Sequence, residues 1–234
     1  MLPVQEQMRA AANPAQAEFL KRFFKTGPGQ YGEGDLFLGL KVPQTRGFLK
    51  LCRDYSLKEV LSLLHSPYHE ERLLALLEMG RRARREPQAI LDAYLAHVQY
   101  VNNWDLVDSS APQIVGETLL DAQDRSLLDL LAASENLWER RIAVVATLAL
   151  IRKGQVGDTL RLCQGLLHDR HDLMHKACGW MLREVGKRSL PALLGFLEEH
   201  AALMARTMLR YSLEKLSLEQ RAYFMAMGPS RPKT

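Results

Sequence analysis

The chain has 234 residues, enough for one domain or two small ones with a substantial core. Hydrophobic residues make up 47% and charged residues 25%, a balance that excludes a disordered or fibrous chain. The formal net charge is +4 and the pI about 9.0, an excess of Lys and Arg that points to a polyanion only if one face gathers it.

The N-terminus, MLPVQEQMRAAANP, lacks a basic start followed by an apolar stretch, and no run of about 18 apolar residues occurs. A soluble cytoplasmic protein with no membrane contact is expected. Cys52, Cys163 and Cys178 are isolated, and no CxxC or His/Cys cluster has zinc spacing, so reduced buried thiols and no metal are expected.

Apolar residues recur at helical spacing throughout, without sustained period-2 alternation. The pattern predicts helices near 3–12, 14–25, 43–54, 57–65, 68–85, 87–99, 103–120, 123–132, 135–153, 156–168, 171–187, 190–203, 205–215 and 217–226. Pro14, Pro43, Pro67, Pro87, Gly154 and Pro191 punctuate them, several where a helix would begin. The glycine-rich loop TGPGQYGEGD, 26–35, has no following GK[ST], which excludes a nucleotide-phosphate loop. The fold class is all-α.

Four segments overlay: HEERLLALLEM (69–79), NWDLVDSSAPQ (103–113), WERRIAVVATL (138–148) and MHKACGWMLRE (174–184). Arg72, Asp105, Arg141 and Lys176 then share one position, with Arg206 following in a fifth segment. Two-helix units of roughly 30–40 residues indicate a curved α-solenoid of HEAT-like repeats, with a concave face that repeatedly receives a cation. A single domain over 1–234 is expected, with a flexible tail from about 228.

Roughly 100° per residue assigns helix faces. In 171–187, Met174, Ala177, Cys178, Met181, Leu182 and Val185 form the core stripe. Trp180 lies off it and shares a face with Lys176, Arg183 and Lys187, an arrangement suited to nucleic acid, although cations stacked on the indole would place them similarly. In 103–120, Leu106, Val107, Ser110 and Ile114 form the buried stripe. Trp104 and Asp108 share one flank, Asp105 points to the far side, and Pro112 bends the helix. Asp108 fits either a capping or ion-pair role, with Arg141 as partner, or a functional carboxylate. Arg141 sits near an apolar stripe and needs an anionic partner from protein or ligand; Arg140 beside it reads as solvent-facing. Arg81, Arg82, Arg84 and Arg85 read as a solvated helix end. The seven histidines have no metal spacing, and no Ser–His–Asp or Cys–His pair is evident.

NNWDLVD, followed by LWERR and KACGWMLRE, resembles the AlkD-like family of DNA alkylation repair proteins, which are HEAT-like-repeat DNA glycosylases. FLGLKVPQTRGFLK (37–50) also resembles the family's N-terminal segment. By this resemblance Trp104 and Trp180 would be aromatic walls of a cleft and Asp108 the catalytic carboxylate. Arg141 and Arg183, with Arg46, would contact DNA; Lys176, Lys187 and Arg72 join them as candidate cations by position. Asn103 stands where members of the family can carry a second aromatic, and 26–35 resembles an insertion.

An N3- or N7-alkylated purine already carries positive charge and needs little protonation to leave. A carboxylate near C1′ can stabilise the oxocarbenium-like sugar and orient water, and indoles favour a cationic nucleoside. The resemblance implies 3-methyladenine- and 7-methylguanine-type lesions in duplex DNA as substrate. No cofactor is required, and no lysine is placed for a Schiff base, so a monofunctional, monomeric enzyme is expected. With no obvious pocket motif, the duplex is expected to lie along the helical surface, recognised largely through backbone and sugar. The alternatives are a catalytically silent HEAT-repeat protein binding distorted or branched DNA, and a protein-interaction solenoid.

Overall fold

A computed structural model describes residues 1–227, and the tail expected from about 228 lies outside them. The described residues hold no β-strand, only an isolated bridge between Leu36 and Tyr68. The chain divides into two compact units, Met1–Ile114 and Val115–Thr234.

The first unit contains α1 (Pro3–Ala10), α2 (Pro14–Phe23), α3 (Val42–Gly47), α4 (Leu57–Leu64), α5 (His69–Ala83), α6 (Pro87–Ala96) and α7 (Trp104–Ala111). Pro14 and Pro87 open their helices, where the missing N–H has no intrahelical partner to lose. Ser56 starts α4 with a reciprocal cap: its hydroxyl accepts from the Glu59 amide at 3.3 Å, and Glu59 accepts the Ser56 amide at 2.6 Å. The helix expected over 43–54 is α3 followed by a 3₁₀ segment, Phe48–Cys52. The one expected over 103–120 ends at Ala111, and Pro112–Gly116 widens into a π turn. A proline there cannot donate back into the ladder.

At the centre of this unit α5 packs against α4, α6 and α7. Its first turn is charged yet buried, with Glu70, Glu71 and Arg72 all under 5% exposed. Glu70 accepts the backbone amides of Leu38, Gly39 and Leu40 at 2.8–3.1 Å. Glu71 accepts from Arg9, Gln5 and Ser66 at 2.6–2.8 Å. Both carboxylates also lie at the positive end of the α5 dipole. The 38–40 segment can approach this closely because position 39 is glycine. Its φ is +81°, and a Cβ there would sit 2.1 Å from the Asn13 carbonyl oxygen.

The second unit contains α8 (Ser126–Ala132), α9 (Leu137–Arg152), α10 (Gly157–Gly165), α11 (Asp172–Arg188), α12 (Leu190–His200), α13 (Arg206–Ser212) and α14 (Leu218–Met227). Here α11 is central, packed on α9, α10, α12 and α13. The expected core stripe of α11 is confirmed: Met174, Ala177, Cys178, Met181, Leu182 and Val185 are at most 1% exposed. Gly179 permits the close approach to α13, since a Cβ would meet the Met208 carbonyl oxygen at 2.5 Å. All three cysteines are buried free thiols, as expected. No helix among the described residues is long and apolar enough to cross a membrane.

Candidate active site

The flank of α7 is set by its cap and its core stripe. Asn103 is fully buried and its side-chain oxygen accepts the Trp104 amide at 2.9 Å, fixing where the helix begins. Leu106, Val107, Ser110 and Ile114 are inaccessible, as the helical spacing predicts. Anchoring that stripe leaves Trp104 and Asp108 partly exposed, one turn apart.

Both line a cavity of about 480 Å³ in the first unit. Its walls are mainly aromatic. Trp104 stacks on Phe24 with centroids 5.4 Å apart and meets Phe23 edge-on at 5.9 Å. Phe24 stacks on Phe37 at 5.3 Å. Asp105 lines the same cavity, which corrects the expectation that it points to the far side. It is only 9% exposed and its Oδ2 lies 2.8 Å from Nε2 of His69. A second-position acid at a helix start is drawn inward here because α5 presents a buried imidazole to it.

His69 belongs to a chain of four charges. Its Nδ1 lies 3.4 Å from Asp35 Oδ2, and Arg72 Nη2 approaches the same oxygen at 2.7 Å. Asn102 donates to Asp35 Oδ1 at 3.0 Å. Burial alone would lower the His69 pKa, but the Asp105 charge and hydrogen bonds to Asp105 and Asp35 raise it to about 9. The ring is therefore an imidazolium donating from both nitrogens, packed against Phe24 and Phe37 with centroids 4.8 Å from each. Burial pushes the Asp35 carboxyl up, but the His69 hydrogen bond and the Arg72 charge hold it below the usual range. Asp35 is the last residue of the glycine-rich loop, so that loop delivers an acid to the centre of the unit.

His69 and Asp35 carried no signal in the sequence. They lie 34 positions apart and meet only through the fold. His-Glu-Glu-Arg at a helix start reads as an ordinary solvated first turn.

The candidate cations divide sharply. Arg72 is 4% exposed and its Nη1 donates to the Ser66 carbonyl at 3.0 Å. Arg141 is also 4% exposed and donates to the Leu173 carbonyl at 2.7 Å. Neither is a surface cation, in contrast to the concave-face placement expected for their shared repeat position. The shared repeat position faces inward at Arg72, Asp105 and Arg141. Arg206 uses it similarly, donating to the Met225 carbonyl at 2.9 Å. Arg140, expected in solvent, is held by Asp169 at 2.8 Å and by the Ser134 and Glu135 carbonyls. Arg46 is exposed in the last turn of α3.

In the second unit Trp180 is partly exposed and lines a separate cavity of about 360 Å³ with Arg152, Lys187 and Arg188. Each expected cation beside it has an acidic neighbour. Lys176 pairs with Asp172 at 2.7 Å, Lys187 with Glu184 at 2.7 Å, and Arg183 with Glu214. No group of three or more metal-ligating side chains occurs among the described residues.

A family model described as DNA alkylation repair enzyme matches residues 4–216. Among solved structures, a predicted DNA alkylation repair enzyme from Enterococcus faecalis is similar at 19% identity and a TM-score of 0.71, over 88% of this chain and 97% of that one. At that identity the likeness concerns the fold, which is all-α in both. No curated protein sequence matches. With nearly its whole described length covered by the family model, the chain belongs to the family of DNA alkylation repair enzymes.

Proposed function

We propose that the protein is a monofunctional DNA glycosylase that removes cationic N3- or N7-alkylated purines from duplex DNA. The observation that supports this reading is the pairing of Trp104 with Asp108 on one flank of α7, at the edge of an aromatic cavity. Asp108 lies near C1′ of the damaged nucleotide and stabilises the positive charge that develops on the sugar. The C–N bond breaks with its electron pair moving to the purine, which neutralises the alkylated ring. Water adds to C1′, and Asp108 orients it and takes its proton. The Trp104 indole favours a cationic base over a neutral one. Trp180, Arg183 and Lys187 of the second unit, with Arg46 of the first, contact the DNA, the cations exchanging their acidic neighbours for phosphate.

The test is release of methylated purine from alkylated duplex DNA. Wild type is expected to release it, and Asp108→Asn to do so roughly 100-fold more slowly, the scale of losing one electrostatic stabiliser. Pure wild type that binds duplex DNA without releasing purine would replace this reading with a silent DNA-binding role.

A further inference from the structure

Of the four arginines that read as a solvated end of α5, three wall another cavity of the first unit, about 210 Å³ in volume. Arg81, Arg82 and Arg85 reach it from α5 and the turn that follows, and Arg53 from the end of the 3₁₀ segment. His69 and Glu70 line the Trp104 cavity from the first turn of the same helix. At a rise of about 1.5 Å per residue, Arg81 lies roughly 18 Å along the helix from His69.

One buried acid fixes two of these guanidiniums. Glu78 is wholly inaccessible, and it accepts Arg81 Nε and Nη2 at 2.8 and 2.6 Å and Arg82 Nε at 2.7 Å. Arg82 Nη2 also donates to the Tyr55 carbonyl at 2.5 Å. Arg53 and Arg85 are exposed, and among the described residues neither has an ion pair or a side-chain hydrogen bond. Asp54 and Glu86 border the cavity too, exposed and paired with none of its arginines.

The helix dipole accounts for cations on the last turn of α5. It does not account for a buried carboxylate that orients two of them, or for a further arginine brought in from another stretch of chain. Guanidiniums gathered this closely repel one another, and an anion between them offsets the repulsion. Arginine forks match phosphate oxygens, and two unpaired forks beside two oriented guanidiniums offer more N–H groups than the two oxygens of a carboxylate accept.

We propose that this pocket binds a multiply charged phosphate group, with Arg53 and Arg85 as its direct ligands and Arg81 and Arg82, oriented by Glu78, completing the cage. The site is separate from the Trp104 cavity and does not rest on the glycosylase reading. Two sources share this chemistry: a free anion of the pyrophosphate kind, and a backbone phosphate of a nucleic acid strand crossing this end of the unit.

The first arm of the test titrates sodium pyrophosphate into the full chain by calorimetry at pH 7.5 and physiological ionic strength. Saturable one-to-one binding is expected in wild type, weakened roughly tenfold in Arg53→Ala and in Arg85→Ala, the scale of losing charge-assisted hydrogen bonds. Both residues are exposed, and either variant decides if the other fails to fold. Arg84→Ala removes the same charge from an exposed neighbour that does not border the cavity, and should stay within about threefold of wild type because exposed charges are screened. The second arm measures lesion-free duplex DNA binding across a salt series. A log–log slope shallower by about 0.9 in each variant, with pyrophosphate displacing DNA, assigns the phosphate to nucleic acid. An unchanged slope, with both ligands bound together, assigns it to a free anion. No saturable pyrophosphate binding, undiminished affinity in the variants, or an equal loss in Arg84→Ala overturns the proposal. Neither arm measures purine release, so failure here leaves the glycosylase reading standing, and failure of that reading leaves this site standing.

Discussion

Raising the pH should weaken this protein through a single histidine. His69 is 2% exposed between Asp35 and Asp105 and has a pKa of about 9. In the unfolded chain the ring returns to about 6.5. A group whose folded pKa is raised stabilises the native state fully below its unfolded value, and that stabilisation is lost as pH climbs through the folded one. At about 1.4 kcal/mol per tenfold of proton affinity, the difference amounts to about 3 kcal/mol, of which roughly 2 kcal/mol disappears between about pH 7 and 8.5. The window matters, because the Cys52 thiol, pushed up to about 11 by burial, makes its own contribution only at higher pH. Urea denaturation of wild type at pH 7.0, 7.75 and 8.5 measures the loss, and His69→Gln provides the baseline. The variant should begin less stable and change little across the same range. Nitrogen-15 shifts of the imidazole should report both ring nitrogens protonated at pH 8. A wild-type stability that stays flat, a variant that falls in parallel, or a ring already neutral at pH 7 would refute the charged chain.

Two further outcomes follow from the division of cations and from the backbone at the centre of the first unit. Arg183→Ala and Lys187→Ala should each weaken duplex DNA binding and make its log–log salt dependence shallower by about 0.9 for each phosphate no longer neutralised. Arg72→Lys, by contrast, should cost about 1–3 kcal/mol of stability, because it breaks hydrogen bonds to Ser66 and Asn102, and leave that slope unchanged. A slope shift in Arg72→Lys would contradict its burial. Gly39→Ala should destabilise by about 2 kcal/mol or more, read as a lowered urea midpoint. Its φ of +81° and the nearby Asn13 carbonyl leave no room for a methyl group. A midpoint within error of wild type would show that the 38–40 segment does not hold this path.

Helix identity was legible because it depends on spacing within a few turns. The stripes of α7 and α11 follow from periodicity alone, and the structure buries every residue assigned to them. What periodicity cannot supply is the neighbour an element meets. Arg72 and Arg141 read as cations of a concave face because they share a repeat position, although Arg141 also lies near an apolar stripe and calls for a partner. Here that position turns inward, and its arginines satisfy backbone carbonyls at Ser66 and Leu173. Such a carbonyl leaves no mark in sequence, since every residue has one.

The same reasoning explains why half of the candidate site was visible and half was not. Trp104 and Asp108 are linked by the pitch of one helix, so the sequence places them together. Phe23, Phe24, Phe37, His69 and Asp35 come from other stretches of chain and are assembled by the path from α2 through the glycine-rich loop to the start of α5. That path depends on Gly39, on the amides gathered by Glu70, and on the reciprocal backbone bonds between Leu36 and residues 67–69. The loop that looked like an insertion thus supplies Asp35, which helps keep His69 charged, and His69 in turn holds Asp105 against the cavity. A chain lacking the loop's acid would retain Trp104 and Asp108 on α7 but lose a carboxylate that sustains the proton on the imidazole beside them. Asp35→Asn tests this coupling within the first prediction: it should lower the pKa of His69 and move the loss of stability to lower pH.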